Sequence, residues 1–559
     1  MRKLTFALSV PGIVLGIGLS TAPFSVDGAS PRFYGDDPIA REPETQDASR
    51  VEEWEIDLAA DILLNLFTRP GDPTPNVRAQ NVNSIDEVPD SSWFTNRVHA
   101  RPVSTDELMR GPNTIDGPAP GRWTVIRPKT AGIAPGFRVR DEKGDVWFLS
   151  FDAKGHPRAA TGAIAVACRL FWGLGYYQVE SYISNLRFEN LEMSPDARIR
   201  TLSGRVRPMT MKDVRQVLNR AEPSADGSFR ALAARAIPGR VVGGFRYHGT
   251  RPDDPNDVIP HEHRRELRAL KVFGAWTNLT DMKAGNTLDT VITENGRSIL
   301  RHYLQDVGST FGTGALEAKD PDDSYEYLYE GAPLFKRLVT LGFYIRPWQV
   351  MGYPKAPEIG RFQGDRFEPD DWRPRVPVSA LLHAGEDDTF WAALRVVAFS
   401  DDMIRAAVKT GQYGDPASEQ HLSDSLIKRR DKIGRVYLTK INPADRFSLA
   451  ADGTMTFENA AVRAGFATAP ASGYKAAWHR FDNAAGTATA IGETASPTER
   501  LQAPAGLPSA NGTFVKVSVS GVDPGHPAWA RPVDVYFRRT AGGWTLIGLD
   551  RLPAAEERR

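Results

Sequence analysis

The stretch TDMKAGNTLDTVITENGRSILRHYLQDVGS, residues 280–309, restricts what this chain can fold into more than any other. At its centre, Asn295-Gly296 is a favoured two-residue hairpin turn, because both positions tolerate positive φ. Thr287 to Glu294 then runs outward and Arg297 to Gln305 returns. With Glu294 facing Arg297, Asn286 falls opposite Gln305 and Asp306 lies one residue beyond. The turn predicts that an amide oxygen and a carboxylate, distant in sequence, share one end of a β-ribbon. Such a pair is a start for a divalent-ion site.

Asp281 and Lys283 precede the ribbon and complete a D-x-K-x-x-N pattern; the ribbon ends in D-x-G with Gly308. Each residue type suits phosphoryl transfer. Asp281 is a candidate to accept or orient the proton of an attacking hydroxyl, and Lys283 to neutralise charge on a phosphate. Asn286 and Asp306 are the candidate Mg²⁺ ligands. Gly308 lets the chain turn closely after the carboxylate. The ordinary alternative is that these residues cap turns and satisfy loop amides.

The run Asp281, Met282, Lys283, Ala284, Gly285, Asn286 resembles the catalytic loop of the protein-kinase-like superfamily. Asp306, Val307 and Gly308 resemble its metal-binding D-F-G element, with valine in place of the aromatic. Within that superfamily the chain is most similar to exported bacterial proteins with a kinase-like core. The resemblance spans about residues 125–350. It implies an α+β fold with a two-lobed, protein-kinase-like core, ATP with Mg²⁺ as cofactors, and transfer to a hydroxyl on a protein or small molecule.

The smaller lobe departs from that pattern. In DVWFLSFD, Ser150 stands where a lysine should hold the nucleotide phosphates, and Ile164 or Ala165 stands where a helix should carry the lysine's glutamate partner. A hydroxyl cannot replace an ammonium's charge. Lys154, Arg158 and Lys129 are the other cations able to approach, with Lys154 taken as the candidate nucleotide contact. The preceding loop, PKTAGIAPG, lacks a full G-x-G-x-x-G but offers Gly132 and Gly136 for close approach to a phosphate. Either a relocated cation restores ATP alignment, or the chain is a pseudokinase that binds without transfer. A third reading is an envelope or extracellular interaction protein acting through its C-terminal region.

The rest of the sequence sets the frame. Residues 1–29 carry Arg2 and Lys3 ahead of an apolar run from Leu4 to Leu19, the pattern of a secretory signal or, uncleaved, an N-terminal membrane anchor. A periplasmic or secreted location is expected. Residues 30–124 read as a linker and helical extension, with helical spacing starting near Trp54. Residues 125–260 are the expected small lobe and connection, 261–442 a helical large lobe, and 443–559 a β-rich module with alternating strands suited to a sandwich or small barrel. In the small lobe, Phe137 and Val139 alternate before a turn, with Val146, Phe148 and Phe151 following it inward.

The 69 basic and 69 acidic residues cancel, so no nucleic-acid partner is expected. The basic run SDSLIKRRDKIGRVYLTKI reads as a surface stripe. Cys168, the sole cysteine, sits in an apolar helical pattern as a core thiol. His261 and His263, two residues apart, do not share a helical face and read as part of a solvent-facing, charge-rich helix rather than a zinc site.

Overall fold

The computed structural model describes residues 30–129, 132–201 and 203–553. The expected signal or anchor segment, 1–29, lies outside them. Helices and several sheets are mixed in an α+β architecture, and the C-terminal region is rich in β-structure.

One six-stranded sheet is built from β1 (Trp123–Pro128), β2 (Gly136–Arg140), β3 (Val146–Phe151), β4 (Ser181–Leu186), β5 (Leu191–Met193) and a later strand, in the order β4-β8-β3-β2-β1-β5. Between them, β6 (Arg198–Arg200) and β7 (Val206–Pro208) form a two-stranded ribbon; β8 is Phe229–Arg235. Asp141 fixes the β2–β3 turn. Its Oδ1 accepts from the Lys143 and Asp145 N–H groups, and its Oδ2 accepts from the Trp147 indole at 2.9 Å. Phe137 and Val139 point inward as predicted. The phase on β3 is the reverse of the expected one at two positions. Trp147, Leu149 and Phe151 are buried, whereas Phe148 is exposed under Arg138. The Asp141–Trp147 hydrogen bond pins the indole inside and so sets the strand's faces.

The helices are α1 (Leu58–Phe67), α2 (Thr105–Arg110), α3 (Ala159–Leu174), α4 (Met211–Leu218), α5 (Arg265–Thr277), α6 (Gly331–Val339), α7 (Ser379–Leu382), α8 (Glu386–Val397), α9 (Asp401–Lys409), α10 (Pro416–Tyr437) and α11 (Ala460–Arg463). The first begins at Leu58, because Trp54 is held in a bridge to Gly243. Most of α3 is buried. Gly173 admits Phe399, and Cys168 sits in the interior, where desolvation pushes its thiol upward in pKa. The run around Trp391 is two helices, broken at Ser400, whose hydroxyl accepts from the Met403 N–H and caps α9. Together α3, α5, α8, α9 and α10 supply one large apolar core.

The start of α5 is not solvent-facing. His261, Glu262, His263, Arg264, Arg265 and Arg268 are all buried. Arg265 meets Asp86 at 2.8 Å, Asp388 at 3.0 Å and Asp387 at 3.1 Å, carboxylates supplied from far along the chain. His263 Nδ1 accepts from Arg268 at 2.7 Å, which assigns its proton to Nε2, donating to Asp72 at 2.9 Å. Nor is the basic run of α10 entirely a surface stripe. Arg429 is buried between Phe362 and Phe367 and donates to the Ala275 carbonyl.

A small sheet joins β9 (Arg240–Val241), β10 (Thr287–Glu294) and β11 (Arg297–Leu304). At the C-terminal end, β12 (Ala444–Leu449), β13 (Thr454–Asn459) and β16 (Arg500–Gln502) face a five-stranded sheet of β14 (Tyr474–Asp482), β15 (Thr487–Ser496), β17 (Phe514–Gly521), β18 (Val533–Thr540) and β19 (Gly543–Asp550). Trp478, Val517, Phe457 and Leu501 from the two sheets share one core, the layering of a sandwich. No helix among the described residues is long and apolar enough to cross a membrane.

Candidate functional site

The β10–β11 ribbon has the predicted register, from Glu294 opposite Arg297 at the turn to Thr287 opposite Leu304 at the base. Asn295 and Gly296 both adopt positive φ. At the base, the Asn286 carbonyl accepts from both the Gln305 and the Asp306 N–H groups, each at 3.1 Å. One peptide oxygen therefore sets the separation of the two candidate ligands. Asn286 donates through Nδ2 to the Asp281 carbonyl at 2.6 Å, leaving its Oδ1 as an acceptor. Asp306 Oδ1 accepts from the Gly308 N–H at 3.0 Å. The turn is tied to the end of α5 by the Phe311 N–H, which donates to the Thr277 carbonyl at 2.8 Å.

Asp281 and Lys283 meet at 2.8 Å. Burial raises the Asp281 carboxyl, but the Lys283 hydrogen bond and charge outweigh it, with Asn286 and Lys319 adding to the same effect. The net shift is downward, so Asp281 is ionised at neutral pH. Tyr247 lies close by; burial and then the Asp281 charge push its phenol upward. Lys319 is a nearby cation that the sequence pattern did not single out.

On the facing sheet, Gly136 is paired with Ser150. A Cβ at Gly136 would come within 2.3 Å of the Leu149 carbonyl and 3.0 Å of Lys129 Cδ. Two small residues opposite one another thus leave room for the Lys129 stem to lie across the strands. Its Nζ reaches Ser150 Oγ at 3.3 Å. Gly132, at φ +75°, passes close to the same ammonium, 3.6 Å from where its Cβ would be. Burial lowers the Lys129 pKa, and the charge of the Asp306 carboxylate opposes that shift. The cation next to Ser150 is therefore Lys129, within electrostatic reach of Asp306. Lys154, the sequence candidate, is exposed in the turn after β3, where its backbone N–H donates to the Arg220 carbonyl at 3.0 Å. Arg158 is directed to Glu358, 3.7 Å away.

Gly308 packs against α3 at the position expected to carry an acid. A Cβ on it would fall 2.7 Å from Ile164 Cγ1. The structure thus links Asp281, Lys283, Asn286 and Asp306 at the base of the ribbon, groups Lys129 with Gly132 and Gly136 at the six-stranded sheet within electrostatic reach of Asp306, and leaves Lys154 outside. Lys129 carried a weak signal: it is the one cation in the PKTAGIAPG loop.

The donor set fits a Mg²⁺ bound with phosphate. It offers one carboxylate and one neutral amide oxygen, and Mg²⁺ commonly takes few protein ligands and completes its shell from phosphate and water. Among the described residues no group of three or more His, Cys, Asp or Glu side chains is arranged to hold a metal. His261 Nε2 pairs with Asp257 at 2.8 Å and His263 Nε2 with Asp72 at 2.9 Å. A separate cavity of about 250 Å³, lined by Lys271, Tyr327, Asp370 and Trp372 among others, shares no residue with this site.

No protein-family model matches the sequence, and no curated protein matches it. Among solved structures, the Golgi casein kinase aligns at 12% identity over 72% of this chain and 95% of that one, with a TM-score of 0.29. The Golgi casein kinase with Mn/ADP bound aligns at 10% identity over 71% and 95%, with a TM-score of 0.28. TM-scores of that size do not establish a shared fold.

Proposed function

We propose that this is an exported, kinase-like phosphotransferase, binding a nucleoside triphosphate with Mg²⁺ and passing a phosphoryl group to a hydroxyl of a protein or small molecule. The observation that carries the reading is the junction of Asp281, Asn286 and Asp306, in which the Asn286 amide donates to the Asp281 carbonyl and the Asn286 carbonyl accepts from the Asp306 N–H. Lys129, whose ammonium feels the Asp306 charge, supports it from the sheet.

Asn286 Oδ1 and the Asp306 carboxylate would hold the metal, which when bound draws charge from the phosphate oxygens. Lys129 meets those oxygens from the other side, supplying the charge that Ser150 cannot. Asp281, kept ionised by Lys283, accepts a hydrogen bond from the acceptor hydroxyl and aims its oxygen at phosphorus. The acceptor O–P bond forms, the terminal P–O bridge breaks with its electrons left on the nucleotide, and the hydroxyl proton passes to Asp281. A low-pKa carboxylate is a weak base, so its main contribution is orientation.

A second reading, binding without transfer, is favoured by Ile164. An apolar side chain against Gly308 leaves Lys129 without the acidic helix partner expected of an active kinase. The interaction-module reading has less support. Among the described residues, no large hydrophobic side chain of the C-terminal sheets is exposed. Export is supported by the basic and apolar pattern of residues 2–19.

Calorimetric titration of Mg²⁺ and ATP together with a turnover assay tests the proposal, against Asp306→Ala. Binding and turnover, both lost in the variant, support transfer. Variant-sensitive binding without turnover selects the pseudokinase, and no binding by the parent chain rejects both.

A further inference from the structure

Independently of that site, a second surface stands out between Leu328 and Val350. On α6, Phe335, Leu338 and Val339 lie three and four residues apart on one face, and all are exposed. The segment that follows continues the patch, with Leu341 at 86% and Phe343 at 85% exposure, values normal for charged side chains and not for these. Tyr329 extends it to α1, where the Phe67 ring lies 5.2 Å away and is itself exposed.

The charge of this segment is as unusual as its polarity. The whole chain is neutral, yet residues 331–357 contain Lys336, Arg337, Arg346 and Lys355 and no acid. Among the described residues, Arg346 alone of the four is met by a carboxylate, Glu326, which also accepts from the Trp348 indole at 2.7 Å. That clasp holds the base of the segment, while on α6 Lys336 sits at the margin of the apolar face and Arg337 further round the helix.

We propose that this segment docks on an anionic lipid surface. An exposed apolar segment whose cations Lys336 and Arg337 meet no carboxylate among the described residues, Lys336 lying instead over the Tyr344 ring, suits insertion at the headgroup boundary with basic groups against lipid phosphates. A second copy of the chain fits less well, because a twofold contact through this segment would gather its cations with no acid from either copy's segment to meet them. The contact is peripheral: α6 has nine residues and is too short to span a bilayer.

Cys168 is buried, so a Leu341→Cys variant of the full chain can be labelled selectively with an environment-sensitive fluorophore. A label at Val258→Cys, an exposed position elsewhere, serves as control. With phosphatidylglycerol-rich vesicles, the label at 341 shifts to the blue and the label at 258 does not. Adding Lys336→Glu and Arg337→Glu raises the lipid needed by roughly 25-fold or more, since each basic residue near such a surface is worth about fivefold in affinity. An unshifted label at 341 overturns the proposal. An equal shift with pure phosphatidylcholine, unaffected by the charge reversals, overturns the anionic recognition. A label already shifted without lipid overturns it in favour of a protein occupant. Dependence on protein concentration then identifies a second copy, and independence the chain's own residues 1–29.

Discussion

The Lys129 ammonium lies 3.3 Å from the Ser150 hydroxyl, on a strand whose sequence offers no cation of its own at that point. The cation at that point comes instead from the residue that follows β1. Lys129→Met is expected to weaken Mg²⁺–nucleotide binding by about tenfold to a hundredfold, the range for one hydrogen bond to a charged group. Lys129→Met with Ser150→Lys should recover much of that loss in the same titration. Unchanged affinity in the single variant would remove the relocated cation from the argument.

Asp281 has a different expected signature. Asp281→Asn keeps the shape of the loop but loses the charged oxygen that orients the acceptor hydroxyl, together with the Lys283 pair. Turnover should fall by about 10²- to 10⁴-fold, with nucleotide affinity changed by no more than about twofold. Because the Asp281 carboxyl is shifted downward, its protonation lies below the ordinary value of about 3.9. The acid limb of the rate profile should show no step from this group between about pH 5 and 8.

Close approach at two glycines carries a stability prediction. Gly136→Ala places a methyl against the Leu149 carbonyl, a rigid neighbour, and against the Lys129 stem. A loss of about 2 kcal/mol or more in denaturant unfolding is expected, together with weaker nucleotide binding. Gly308→Ala meets the side chain of Ile164 instead, so its cost should shrink in an Ile164→Ala background. A double-mutant cycle with no coupling would show that the two do not pack as described.

His99 predicts the acid side of the stability profile. Burial, then the Arg395 charge, pulls its pKa down to about 4, against the opposing influence of Glu87. The unfolded chain, with an ordinary histidine near 6.5, binds more protons between those values. Stability from keeping His99 neutral is thus fully present above about pH 6.5 and is lost as pH falls toward 4. Urea midpoints measured across that window should decline, and His99→Gln should flatten the decline. An equal slope in both chains would assign it to other groups.

The parts of this molecule legible in its sequence are those that local chemistry decides. Asn295-Gly296 and the alternation around it were enough to set the ribbon's register and to bring Asn286 to Asp306. Lys129 was one of three cations in view, because its route depends on Gly136 lying across from Ser150, a pairing between strands. The inward face of β3 depended on where the Trp147 indole finds Asp141. Arg265 reads as a surface charge until Asp86, Asp387 and Asp388 arrive from distant segments to neutralise it. Leu58 rather than Trp54 begins the first helix for a similar reason: the bridge to Gly243 holds the tryptophan in extended chain.

The double acceptance at the Asn286 carbonyl fixes one end of the ribbon; at the other, Glu294 and Arg297 are held by Arg41 and the Glu44 carbonyl, and the Asn295-Gly296 turn beyond them is open. Paired additions on both sides of the Asn295-Gly296 tip would lengthen it without moving either donor, whereas a single extra residue inside β10 or β11 would slide one past the other and reverse which faces the strands present. Length variation, an epitope tag or a recognition loop can therefore be carried at the tip, and the end that joins Asn286 to Asp306 is insulated from it.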